Sequence, residues 1–327
     1  MNKSIKIFIK WFAGPILAAW LFYSLYQQVR QQEGLDKAID LIRAAPFGDD
    51  AWKFWLMIAF VFVNWGIEAR KWQLLMRPLQ KMSFLQAFKS VLSGVTLSLN
   101  MPNRIGEYAG RMLFVEEEYR LHTISLSIAG SLAQLIITVL TGCIGLGYLL
   151  LAGGEKVLSM ELSVFWLRIF FYGSCFGATL LLLFFFRLGW LIRLVERLPY
   201  AAKFARYISV LETFDAKVLL RLLSLSLFRY LVFVLQYIFM LQLMQVEQSV
   251  WTGFWLVAVM FWILAIIPSF AIADLGIRGT VARTLFSYST NTIGILAVTF
   301  GIWFVNLFIP ALIGSLLILG IKIKKDK

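Results

Sequence analysis

Between residues 122 and 152 the chain carries no Asp, Glu, Lys or Arg. A helix through such a stretch exceeds the roughly 20 residues needed to cross the hydrocarbon core of a bilayer. Apolar runs recur at residues 7–26, 52–69, 164–186, 222–244, 251–267 and 293–321. Charged residues make up only 15% of the chain, 60% is hydrophobic and the mean hydropathy is +0.79. A soluble domain is nearer a quarter charged. The fold class this implies is an all-α polytopic membrane protein, with residues 1–327 forming one integral membrane domain and no room for a second, soluble one.

The net charge of +13 does not point to nucleic acid, because the basic residues flank apolar spans. Such residues orient a membrane protein and meet anionic lipid. Lys3, Lys6 and Lys10, the segment from Arg70 to Lys89, the segment 187–221 and the Lys322–Lys327 tail fall on one side if both termini are cytoplasmic. Only Arg30, Lys37, Arg43, Lys53, Lys156 and Arg168 then lie outside. With about six full crossings, this places the chain in a bacterial cytoplasmic (inner) membrane as a multi-pass protein. The first span, 7–26, has no small-residue cleavage site after it and reads as an uncleaved helix. Cys143 and Cys175 sit in apolar runs and read as core residues, and His122 has no metal-ligating neighbour. No cofactor is expected.

Within the apolar pattern lies a helix-breaking, charged stretch, NMPNRIGEYAGR at residues 100–111. Pro102 cannot continue a helix but suits the first turn of a new one, with Asn100 or Asn103 available as a cap. Irregular backbone at membrane depth is tolerated where it is buried in protein or lines a watery cavity. The charge asymmetry requires residues 84–115 to enter and leave from the cytoplasm, and residues 251–286 to enter and leave from outside. The chain is therefore expected to contain two re-entrant broken-helix hairpins from opposite faces. The second follows Pro268 and carries a polar stretch over 269–283. Glu107–Arg111 and Asp274–Arg278 match in spacing. This suggests inverted repeats over about 52–152 and 222–321 in the manner of a transporter.

Between the repeats, residues 187–221 read as a cytoplasmic amphipathic linker. In it Phe204, Ile208, Leu211 and Phe214 share one helical face beside Lys203, Arg206 and Lys217, which suits a bilayer surface. Residues 35–47 read the same way, with Leu35, Ala38, Ile39 and Ile42 opposite Asp36, Asp40 and Arg43. Asn64, Gln134, Gln236 and Asn306 suit interhelical hydrogen bonds. Glu68 beside Arg70 or Lys71 reads as a span end, with Arg70, Lys71, Arg77 and Lys81 in a basic loop. Arg229 lies inside an apolar run and either snorkels to the inner face or points into the central cavity.

Each second half-helix would present unpaired N–H groups and a positive dipole end, which suits phosphate. Arg104, Arg278 and Arg283 could add two-pronged bonds to phosphate oxygens. Gly106, Gly110, Gly276 and Gly279 would let a ligand or another helix approach the backbone. Glu107 and Arg111, and likewise Asp274 and Arg278, are spaced to pair within a helix turn. The candidate substrate-binding set is Pro102, Arg104, Gly106, Glu107, Arg111, Asp274, Gly276, Arg278 and Arg283, with no catalytic or metal residues assigned.

Pro102-Asn-Arg-Ile-Gly-Glu107 with Arg111 resembles the first-half motif of the lysylphosphatidylglycerol synthase transmembrane domain family, the flippase-like domain proteins. Ile267-Pro-Ser269 with Leu275-Gly-Ile-Arg278 is similar to its second signature. Where many of its members carry an acidic residue after Gly-x-Arg, this chain has Gly279, with Asp274 as the neighbouring carboxylate. The resemblance implies a lipid-handling membrane domain without the soluble aminoacyltransferase domain of the full synthases. The expected function is a lipid flippase or transporter for a phosphate-bearing phospholipid or polyprenyl lipid, whose partner is a membrane lipid with an anionic headgroup. The chain has no Walker-type loop, so a gradient or the membrane potential would drive it, with Glu107 or Asp274 as proton carrier. An intramembrane lipid-modifying transferase, or a non-catalytic partner of a separate lipid transferase, stands as the alternative.

Overall fold

A computed structural model describes residues 35–99, 105–152, 164–187, 207–246, 249–267, 271–287, 289 and 291–325. Among these the architecture is all-α, without strands. Helix α1 (Leu35–Ala44) precedes α2 (Ala51–Met76), α3 (Phe84–Leu99), α4 (Ile105–Met112) and α5 (His122–Leu151). Then come α6 (Val164–Phe186), α7 (Ala216–Leu243), α8 (Val250–Ile266), α9 (Ala271–Leu285), α10 (Thr292–Trp303) and α11 (Ile309–Lys325). Helices α5, α6, α7 and the continuous unit Thr292–Leu319 are long and apolar enough to cross a membrane. This is the build of a multi-pass α-helical membrane protein.

A wide π turn, Phe304–Phe308, joins α10 to α11. Pro310 follows it, and its ring nitrogen has no hydrogen to offer the carbonyl one turn back. The helix accommodates that loss by widening rather than ending.

Element order repeats. A long helix, two short ones and a long one occur as α2–α3–α4–α5 and again as α7–α8–α9–α10/α11. The packing exchanges partners between the two sets. Helix α3 lies against α11, α8 lies against α5, and α2 and α7 pack on each other. Each set thus covers the other's first short helix. Polar side chains tie the helices together as the sequence suggested. Gln236 donates to the Met57 carbonyl (3.0 Å), Gln134 to that of Ser226 (3.4 Å) and Asn64 to the Asn306 side chain (3.1 Å). Helix α6 lies at the edge and exposes Phe165, Trp166, Tyr172 and Phe176, a surface suited to lipid.

In the first hairpin α3 and α4 pack closely on each other. A Cβ on Gly106 would overlap the Leu97 carbonyl, and one on Gly110 would overlap the Ser93 carbonyl. Of the two occupants the sequence allowed at these glycines, a ligand or another helix, the partner helix fills the space. Thr96 extends the contact by donating to the Ala311 carbonyl of α11 (2.8 Å). Gly110→Ala should therefore lower stability by about 1–3 kcal/mol, the usual cost of overpacking. Gly173→Ala, where no atom lies within 4 Å, should leave it unchanged or slightly higher. Thermal unfolding of both variants in detergent checks this, and equal midpoints would contradict the packing.

Two expectations need correction. Helix α2 does not stop at residue 69 but runs to Met76, so Arg70 and Lys71 are helical and Lys71 is buried. The segment read as a surface helix runs, within the described residues, through two helical residues, 207 and 208, into a short 3-10 turn, Ser209–Thr213, followed by extended Phe214. Its Val210, Leu211 and Phe214 are buried against Val115, Leu126, Phe185 and Leu222 rather than facing a bilayer. Asp215 causes the interruption: its carboxylate accepts from the Val218 amide (2.8 Å) and caps α7. A capped new start divides the apolar face that one continuous helix would have shown. Phe204, Lys203, Arg206 and the first span, 7–26, lie outside the described residues.

Candidate binding site: a buried ion cluster

Helix α2 carries Asn64, Trp65, Glu68, Lys71 and Trp72 on one buried stripe. Their spacing of three, four and seven keeps them on the same helical face. Arg70 lies on the other side, exposed and bonded to Gln73 (2.8 Å). An ionised group on such a stripe must find partners, because an isolated charge in a dry interior is very costly.

Glu68 finds three. One of its carboxylate oxygens accepts from Arg111 Nη2 (2.8 Å). The other accepts from Arg229 Nη1 (3.0 Å) and pairs with Lys71 Nζ (3.3 Å). Lys71 also donates to the Gly130 carbonyl of α5 (3.2 Å). Arg111 reaches Glu107 as well, one turn back on α4, through the same Nη2. The Ser90 hydroxyl of α3 holds the Arg111 carbonyl (3.1 Å). Arg229 Nε donates to Asn64 Oδ1 (2.7 Å), and Asn64 passes the network to Asn306 in the π turn. Aromatic faces complete the walls. Arg111 lies 4.7 Å over the Trp72 ring, and Arg229 lies 5.2 Å over Trp65 and 5.5 Å over Phe233.

The charges of these side chains do not cancel. Among the described side chains, Lys71, Arg111 and Arg229 face Glu68 and Glu107, one more cation than carboxylates. The hydrogen bonds are unbalanced in the same sense. Arg111 Nε, Trp65 Nε1 and Trp72 Nε1 are buried without an acceptor. An enclosed group of surplus donors and positive charge suits an oxyanion.

Of the residues singled out from sequence, Glu107 and Arg111 enter this cluster. Gly106 lies beside them but packs on α3. In α9, Arg278 is half-buried, while Gly276 and Arg283 are exposed. A Cβ on Gly279 would meet Leu296 at 3.2 Å. Helix α9 packs on α8 and α10, whereas α4 packs on α3 and α5. Pro102, Arg104 and the Asp274 side chain lie outside the described residues. Arg229 points into the cluster, where it meets Asn64 and Glu68. Glu68, Lys71, Asn64 and the two tryptophans were not proposed as site residues. Their shared stripe on α2, interrupting an apolar helix, was the available signal.

No protein-family model matches the chain, and no curated protein matches it.

Proposed function

We propose that this chain is a lipid flippase or transporter of a bacterial inner membrane, binding the phosphate of an anionic lipid headgroup at the Glu68–Arg111–Arg229 cluster. The observation that carries this reading is the unbalanced positive charge, built jointly by α2, α4 and α7 and enclosed among apolar helices. Ionisable residues inside a membrane domain mark substrate paths more often than they stabilise a fold. The resemblance of residues 102–111 and 267–278 to the flippase-like family supports the same substrate class. On this reading α3–α4 and α8–α9 are re-entrant hairpins from opposite faces. The repeated order of long and short helices fits the internal repeats from which many transporters are built. Both termini are cytoplasmic.

Function is tested in phosphatidylcholine vesicles carrying a trace of fluorescent phosphatidylglycerol. The protein should speed transbilayer movement of that probe well above protein-free vesicles, and fluorescent phosphatidylcholine should move more slowly. No acceleration, or equal acceleration of both probes, would overturn the reading.

Topology has its own test. Single cysteines at Asn103 and Ala273, in a background lacking Cys143 and Cys175, should react with impermeant maleimide from opposite faces. Labelling of both from the same face would remove the opposed hairpins.

A further inference from the structure

We propose that Glu68 is a resident counter-anion: its carboxylate stands where a ligand phosphate would stand, and the ligand binds by drawing Arg111 and Arg229 away from it. This rests on the cluster being an anion site, and adds how that site is kept closed when empty.

Three observations converge on Glu68. It receives cations from three helices, and two of them are guanidiniums. A guanidinium presents a planar fork that fits phosphate as well as it fits carboxylate. Second, the displaced state leaves no bare charge. Lys71 is three residues from Glu68 on the same helix and is also fixed by the Gly130 carbonyl, so that pair persists when the arginines turn. Of the described carboxylates, Glu107 alone would then oppose Arg111 and Arg229 at the ligand. Their excess of one positive charge neutralises a phosphodiester monoanion. Third, the buried atoms these side chains leave unbonded are all donors: Arg111 Nε, Trp65 Nε1 and Trp72 Nε1. A phosphodiester brings acceptor oxygens, so its arrival does not strand a second set of donors.

Glu107 has a different place. It bonds Arg111 but is the more exposed carboxylate, 19% against 8% for Glu68. It marks the side from which Arg111 is reached, not the position of the ligand.

The test uses the full chain in phosphatidylcholine nanodiscs, titrated with dihexanoyl-phosphatidylglycerol and, separately, with inorganic phosphate. Binding is read by calorimetry and by intrinsic tryptophan fluorescence. Glu68→Gln should bind the short-chain lipid at least about tenfold more tightly than wild type, because the arginines no longer have to leave an ionised partner. The double variant Glu68→Gln/Lys71→Met keeps the wild-type net charge and should show the same gain. It separates loss of the competitor from added positive charge, and it avoids stranding three buried cations. Glu107→Gln should gain less. Tighter binding of inorganic phosphate as well would show that the displacing group is the phosphate itself. A gain confined to the lipid would show that the rest of the headgroup or the chains are needed to displace Glu68. If wild type binds the lipid and the folded double variant binds it no better, the counter-anion role is overturned while the anion site stands. If no form binds either probe, the anion site falls and Glu68 with it.

Discussion

Replacing Arg111 by Ala should cost most of the folded protein. The Arg111 side chain is 3% exposed and joins two carboxylates, Glu68 from α2 and Glu107 from α4, while covering the face of Trp72. Without it Glu107 loses its partner one turn away, and two carboxylates are left near a void. Breaking a buried pair from one side costs about 3–5 kcal/mol. A domain holds only about 5–15 kcal/mol in total. Glu107→Gln/Arg111→Gln should recover more folded protein than Arg111→Ala, since the unpaired charge at 107 is removed and Glu68 retains Lys71 and Arg229. Arg111→Lys should be intermediate, because one ammonium cannot reach both carboxylates and cover the indole. Thermal unfolding and the monodisperse fraction in detergent measure this. A midpoint for Arg111→Ala equal to wild type would show that the two carboxylates do not depend on Arg111.

The same residue shows what a sequence can and cannot disclose. Glu107 and Arg111 were legible because their partnership is local, four residues apart on one helix. Glu68 was not legible in this way. Two of its partners lie 43 and 161 residues away, and no local window contains them. Next to Arg70 and Lys71 it looked like the end of a span. Yet only Arg70 faces outward, while Lys71 turns inward with Glu68. Three residues separate Glu68 from Lys71 and two from Arg70, and that difference decides which cation shares its face. Four helices long and apolar enough to span were legible from composition, since lipid demands long apolar helices whatever their packing. The surface helix failed for a local reason. An apolar face over 204–214 is compatible with one helix or with a turn leading to a new cap. The Asp215 cap, visible as Asp followed three residues later by Val218, decides for the second.

The partner exchange between α3 with α11 and α8 with α5 has a consequence for stability. In each set the first short helix is covered in part by the other set, so neither set is complete alone. Separate expression of residues 35–152 should give aggregated material, because α3 would lose α11 and the Thr96–Ala311 bond with it. Helix association in lipid depends on such close packing, as the apolar surface has no water to escape.

Arg229→Ala should separate function from folding. Arg229 is the one member of the cluster supplied by α7, and it is held by Asn64 Oδ1, Glu68 and the faces of Trp65 and Phe233. Its removal leaves Glu68 with Lys71 and Arg111, so no carboxylate is stranded. The stability loss should be about 2–4 kcal/mol, from two charge-assisted hydrogen bonds, since Glu68 keeps other donors. The electrostatic change is larger in kind. The cluster falls from one excess positive charge to none, and a phosphate then gains no net attraction to offset leaving water. Binding of dihexanoyl-phosphatidylglycerol and movement of the fluorescent lipid should both fall to the protein-free level. Arg229→Lys should restore part of the binding by returning the charge. It should not restore all, since an ammonium cannot hold Asn64 and Glu68 in the fixed geometry of the guanidinium and still offer a fork to phosphate. Folded Arg229→Ala protein that binds the anionic lipid with wild-type affinity would show that the positive excess of the cluster is not what holds the ligand.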